Sequence, residues 1–324
     1  MRSLFQQFRT QLQWAALIAL IYLFIIGMRA AHIIGSYEMG SIVMAGILII
    51  LAVSLNLVNG FTGQFSIGHA GFMGVGAYLG AICTTKLGLP FVVALLLGAT
   101  MAGLVGLIIG LPSLRLRGDY LAIVTLGFGE ILRVIFLNWD YVGGPRGLMG
   151  IPQYTNFTWV YVLAVLTIII IRNWVNSAHG RACIAIREDE TAASAMGVNT
   201  TLYKVAAFSI GAFFAGLAGV LFAHYYTVII PNKFGFLFSV EILIIVVLGG
   251  LGSISGSVLA TLLLTGLNAF LADWPYPRMI IYSLALIGIM IYRPSGLMGT
   301  RELTLPTLQQ KRSISEGGQQ GGAA

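Results

Sequence analysis

The chain has 324 residues, 58% of them hydrophobic and only 9% charged, with a mean hydropathy of +0.91. That much apolar surface exceeds what one water-soluble core could bury, which excludes an ordinary globular domain and leaves a polytopic membrane protein. The formal net charge of +7 does not signal nucleic acid, since no basic cluster interleaves with aromatic residues, and Cys83 and Cys183 support neither a disulfide framework nor a metal site.

In chain order, Arg2 and Arg9 precede an apolar run at 14–28 that imitates a secretory signal but ends in MRAAH, without a small-residue cleavage pattern. It reads as a retained anchor behind a cytoplasmic segment at 1–13. Residues 39–85 hold no Lys, Arg, Asp or Glu, enough for two crossings at roughly 20 residues each. Their middle, NGFTGQFSIGHAGFMGVGAYLGA at 59–81, is rich in glycine and carries Gln64, Ser66 and His69 where a lipid-facing helix would show Leu and Ile. Another uncharged run fills 87–114, and 120–139 is apolar apart from Glu130 and Arg133. Charges inside a span avoid lipid. With Asp119 close to the same helical face, these two read as a structural pair, or else as a pathway wall. The pair is the favoured expectation.

A glycine-rich external loop, YVGGPRGLMG at 141–150, leads into a span expected at 147–171. Next comes the one long charged island, SAHGRACIAIREDETAASAMGVNTT at 177–201. Glu188, Asp189 and Glu190 suit a helix N-terminus, Ala192, Ala193, Ala195 and Met196 give a short apolar patch, and Gly197 suits the C′ stop. A helix of about two turns does not hold itself together in water. It needs something to dock against; the plain alternative is a solvated loop. The span at 205–228 contains SIGAFFAGLAG, small residues that let helices approach closely. Residues 242–272 are uncharged but interrupted by LGGLGSISGS at 248–257; a last apolar run fills 279–292, and the tail at 297–324 should be disordered and cytoplasmic.

The expected fold is therefore all-α, a polytopic membrane helix bundle of about ten segments with two glycine-broken segments and an internal repeat. Placing both termini inside puts Arg2, Arg9, Arg115, Arg117 and the island's arginines in the cytoplasm and leaves Arg29, Lys86, Arg146, Lys233 and Arg278 outside, a positive-inside bias. Two broken hydrophobic segments, one in each half, point to a transporter whose irregular backbone lines a pathway. The pathway candidates are Gly63, Gln64, Ser66, Gly68 and His69 in the first break and Gly249, Gly250, Gly252 and Ser253 in the second. For the first set, hydrogen-bonded packing is an equal reading, and for Gly74, Gly76 and Gly80 close helix crossing is the stronger one.

GFTGQFSIGHAGFMGVGAYLGA, GDYLAIVTLGFGEILR at 118–133, GRACIAIREDETAASAMGVNTTLYKVAAFSIGAFFAGLAGVL at 180–221 and VVLGGLGSISGSVLAT at 246–261 together resemble the M-type membrane permease of branched-chain amino acid ABC importers. The resemblance runs from about residue 39 to about residue 296 and makes 14–296 the permease domain. It implies import of branched-chain amino acids across the bacterial inner membrane, although permeases of the same family are associated with urea, amides and other small organic solutes. It also implies a second, H-type permease, two cytoplasmic ATPase subunits and a periplasmic substrate-binding protein as partners. The island becomes the coupling loop: ETAASAMG is similar to the EAA-then-Gly pattern by which ABC permeases dock their ATPases, with Thr191 an insertion. Gly180, Arg181, Arg187, Glu188, Asp189, Glu190, Ala192, Ala193, Met196 and Gly197 are its candidate coupling residues.

The chain has no GxxxxGK[ST] motif, so no nucleotide cofactor is expected on it; ATP and Mg belong to the partner ATPases. A secondary transporter or channel would share the spans but would not require a docking loop. An intramembrane enzyme would need a catalytic constellation, and none stands at usable spacing.

Overall fold

The computed structural model describes residues 18–32, 35–113, 118–272, 283–284, 287–288, 291–293, 295–299 and 302. The expectations for 1–13, for the 273–278 loop, for most of the last apolar run and for the tail beyond 302 lie outside the described residues. The chain divides into two units, Glu38–Arg301 and a second made of Met1–Tyr37 with Glu302–Ala324. Within the second, the apolar helix α1, Ile18–Ala30, leaves Leu20, Leu23 and Phe24 exposed.

The larger unit is an all-α membrane helix bundle. Its helices are α2, Ser36–Asn56; α3, His69–Thr85; α4, Phe91–Ser113; α5, Asp119–Leu137; α6, Phe157–Asn176; α7, Ala178–Glu188; α8, Glu190–Ala195; α9, Thr200–Tyr226; α10, Phe236–Gly249; and α11, Ile254–Phe270. A π turn, Leu57–Phe61, extends α2. Six stretches among the described residues are long and apolar enough to cross a membrane: Ser36–Phe61, Phe91–Ser113, Tyr120–Leu137, Phe157–Asn176, Thr200–Tyr226 and Pro231–Gly249. Helices α3 and α11 have 17 residues each, roughly 25 Å at the α-helical rise, a little short of a hydrocarbon core of about 30 Å.

Five of the helices start behind a side-chain cap. Asn156, Ser177, Asp189, Asn199 and Ser253 each accept a hydrogen bond from an amide in the first turn of the helix they precede, satisfying donors that the helix itself cannot. The span expected from 147 therefore starts later, at Phe157. The residues before it are not helical, and two of them form β1, Leu148–Met149, which pairs antiparallel with β2, Val228–Ile229. Conversely the span expected from 205 begins at Thr200, behind its Asn199 cap.

Helix α9 is the centre of the unit, packed along α3 and α4. Small residues make this seam. A methyl group added to Gly76 of α3 would fall 2.1 Å from the Gly216 carbonyl oxygen of α9, and one added to Gly216 would fall 2.3 Å from Ala102 Cβ of α4. Backbones this close gain dispersion contacts along their length, the association that lipid does not otherwise drive. Leu96, Leu104 and Ile108 of α4 point outward, where lipid tails accept them without penalty.

Candidate functional site

The charged island folds as two helices rather than one. Asp189 caps α8 through its Oδ1, which accepts from the amides of Thr191 at 2.8 Å and Ala192 at 3.0 Å. At the other end Gly197, at φ +84°, donates to Ser194, and Val198 donates to Ala193, a Schellman stop that satisfies the last carbonyls. Glu188 closes α7 instead of opening α8. Helix α7 was not anticipated, although Gly180, Cys183 and Ile186, all buried, carry the three-residue spacing that marks an inward helical face. A side chain at Gly180 would collide with the Val175 backbone of α6, so this glycine lets the chain fold back tightly. Arg181 Nη1 donates to the Asn176 carbonyl at 3.0 Å, completing the end of α6.

The apolar patch splits. Ala193 is buried against the rest of its own chain, whereas Ala192 is exposed and Met196 is 84% exposed. Glu190 pairs with Lys204 of α9 at 2.6 Å. Cys183, completely buried, directs its Sγ toward the Tyr203 carbonyl at 3.8 Å. Burial pushes its thiol up to about 11, an effect that a hydrogen bond with Thr62 partly offsets.

Between the π turn and α3 the backbone at 62–68 is neither helix nor strand. Asn59 and Ser66 hold it closed: Asn59 Nδ2 donates to the Ser66 carbonyl and the Ser66 amide donates to Asn59 Oδ1, both at 3.2 Å. Gln64 Nε2 reaches the Lys204 carbonyl at 3.1 Å. His69 Nε2 lies 2.9 Å from Ser54 Oγ, and Gly68 sits against the Thr125 carbonyl of α5. Gln64, Ser66 and His69 are thus buried and engaged with this chain's own groups, while Gly63 is on the surface of the chain.

The second interruption, at 250–253, meets the first. Gly250 and Gly252 take φ of +114° and +91°, backbone that only glycine adopts without strain. Asn56, at the end of α2 and fully buried, spans the gap: its Nδ2 donates to the Ser253 carbonyl and to Ser257 Oγ, each at 2.8 Å, and its Oδ1 accepts from the Gly252 amide at 2.9 Å. Leu297 and Met298 donate to the carbonyls of Leu248 and Gly249, so residues read as the start of the tail complete the end of α10. Arg187 of α7 lies over both interruptions, its Nη1 donating to the Gly60 carbonyl at 3.1 Å.

Glu130 and Arg133 lie apart from this cluster. Arg133 Nε donates to Glu130 Oε2 at 2.6 Å and its Nη1 to Asn232 Oδ1 at 3.0 Å, while Glu130 Oε1 accepts from the Phe236 amide at 3.0 Å. The two side chains join α5 to the N-terminus of α10, where a carboxylate also meets the positive end of the helix dipole. The Asp119 side chain, expected on the same face, lies outside the described residues. Sequence reasoning passed over Asn56, Asn59, Thr125 and Ser257; the one available signal was an amide, Asn56, closing an otherwise apolar helix. Among the described residues no group of three or more His, Cys, Asp or Glu could hold a metal ion.

Residues 37–293 match the family described as branched-chain amino acid transport system / permease component. The chain is 36% identical over 320 residues to the high-affinity branched-chain amino acid transport system permease protein LivM of Escherichia coli K12, covering 88% of this chain and 74% of that protein. It is 28% identical over 284 residues to the permease protein BraD of Pseudomonas aeruginosa, 78% and 92% of the two chains, and 29% identical over 184 residues to LivH of Salmonella typhimurium, 56% and 59%. No solved structure matches it. The all-α bundle with its long apolar helices and this family match converge: the chain is a multi-pass membrane protein of the branched-chain amino acid transport system permease family.

Proposed function

We propose that this chain is the permease subunit of an ABC importer that carries branched-chain amino acids across the bacterial inner membrane. Its partners are a second, H-type permease, two cytoplasmic ATPases that bind ATP and Mg, and a periplasmic substrate-binding protein. It catalyses no reaction of its own and carries no cofactor. Both termini are cytoplasmic, 14–296 is the permease domain, and the bundle has about ten segments, with repeated halves and two glycine-broken segments facing the pathway.

One observation carries the reading: α8 is a helix of 6 residues capped at both ends, and beside it Met196 stands 84% exposed. A free six-residue helix is not stable in water. This one is locked to α9 by the Glu190–Lys204 pair and presents an apolar knob with no partner surface of its own. An ATPase groove would bury Met196 and Ala192, and the rigid mounting would convey its movement. Ala193 faces inward and maintains the mounting.

Met196→Glu and Ala192→Glu place a charge in the proposed contact without touching the chain's own core. A charge buried there without a partner costs several kcal/mol. Co-purification of the ATPases and substrate-stimulated ATP hydrolysis should each fall at least about tenfold, with permease expression unchanged. Parental values in both variants would contradict the docking role.

A further inference from the structure

Arg187 is one of several charges on the island, yet its guanidinium is directed at the membrane segments rather than only at solvent. It leaves the last turn of α7 and enters the place where the two interruptions meet. Its Nη1 donates to the Gly60 carbonyl at 3.1 Å. Its stem runs beside the exposed Gly63 so closely that a methyl group there would fall 2.9 Å from Arg187 Cγ, and a methyl group on Gly252 would fall 2.9 Å from Arg187 Nη1. Glu188 holds the opposite edge of the guanidinium through Nε at 3.0 Å and Nη2 at 2.5 Å. Directly beneath, Asn56 ties the Gly252 amide and the Ser253 carbonyl to the end of α2. One planar cation therefore touches α7, the π turn after α2 and the turn between α10 and α11.

We infer that Arg187 is the positioning residue that transmits movement of the α7–α8 loop to both interruptions at once. The inference rests on the permease reading above and adds the path by which the loop acts on the membrane segments. Gly60 and Gly252 have no side chains with which the loop could engage them, so a long, flat donor must do it. The guanidinium has five N–H groups in a fixed fork. Here one edge is held by Glu188 within the loop while Nη1 faces the membrane segments. The carbonyl of Gly60 lies in a π turn, whose wide winding leaves the i to i−4 pattern unfulfilled and an oxygen available to an outside donor. If the loop tilts, Arg187 must either draw Gly60 and Gly252 with it or release them, and Asn56 keeps those two moving together. The remaining charges of the loop are placed for other tasks, Arg181 at the end of α6 and Glu190 on Lys204.

The test uses the complete importer, with both permeases, ATPases and binding protein, reconstituted in liposomes, and reads radiolabelled leucine imported per ATP hydrolysed. Arg187→Met removes the donor. Arg187→Gln is a milder change that keeps a polar end too short to reach Gly60, and Arg187→Lys restores a single donor of nearly full reach. The expected result is assembled complexes whose ATP hydrolysis stays within about twofold of parental, while import per ATP falls about fivefold or more for Met and Gln, with partial rescue by Lys. If Arg187→Met does not assemble, Arg187→Gln gives the decision.

A parental ratio in Gln overturns the inference. So does a proportional loss of hydrolysis and import, or failure of every variant to assemble, since each would make Arg187 a purely structural residue. A parental complex without ATP-dependent import would instead remove the permease reading itself.

Discussion

Asn56 is the residue on which the meeting of the two interruptions depends. It is fully buried, and its amide bonds the Gly252 amide, the Ser253 carbonyl and Ser257 Oγ; the last two also bond each other, so the Gly252 amide is the group that loses its partner when Asn56 is removed. A buried group that loses its partner costs about 1–3 kcal/mol. Asn56→Ala should therefore lower the melting temperature of the purified protein in detergent by roughly 5 °C or more, and an unchanged melting temperature would show that these bonds carry no stability. Little of this was legible in the sequence, because Asn56 and Gly252 are 196 positions apart and no local pattern links them. Gly197 is the opposite case. A glycine after a short apolar patch specifies a left-handed stop from local conformational preference alone, and it adopts one.

At the scale of elements, α7 and α8 form a rigid bracket rather than a loop. Ser177 and Asp189 start the two helices, Gly197 ends the second, and Cys183 seats the first on Thr62 and Tyr203, with Ile186 buried one turn on. The sequence disclosed α8 through its caps but hid α7, whose inward face consists of a glycine, a cysteine and one isoleucine amid charges. Its seating has a chemical signature. Burial raises the Cys183 thiol from an ordinary value of 9.0 to about 11, and a raised value means less thiolate, the reactive form, at any pH below it. In a Cys83→Ser background, N-ethylmaleimide should modify Cys183 at pH 8 at least about a hundredfold more slowly than a free small thiol, and faster as pH rises toward 11. Modification at the free-thiol rate would mean that α7 is not seated on the membrane segments.

The same contrast between local and distant information holds for the whole molecule. Hydropathy and the small-residue runs announce a membrane helix bundle with α9 packed tightly inside it, since lipid exposure and close crossing leave marks in composition. How the interruptions meet Arg187 depends on a side chain and a backbone carbonyl 127 positions apart and appears only in three dimensions. The polar side chains around the two interruptions are bonded to neighbouring segments of the chain, Gln64 to Lys204, Asn59 to Ser66, and Asn56 to Gly252 and Ser253.

The measurement that tests this account most directly is leucine uptake into liposomes containing the complete importer, with ATP sealed inside and the binding protein outside. Accumulation against a gradient should require ATP and both ATPases, and should be competed by isoleucine and valine. Equal uptake without ATP, or by the permeases in the absence of ATPase subunits, would contradict an ATP-driven import function and identify a secondary transporter or channel instead.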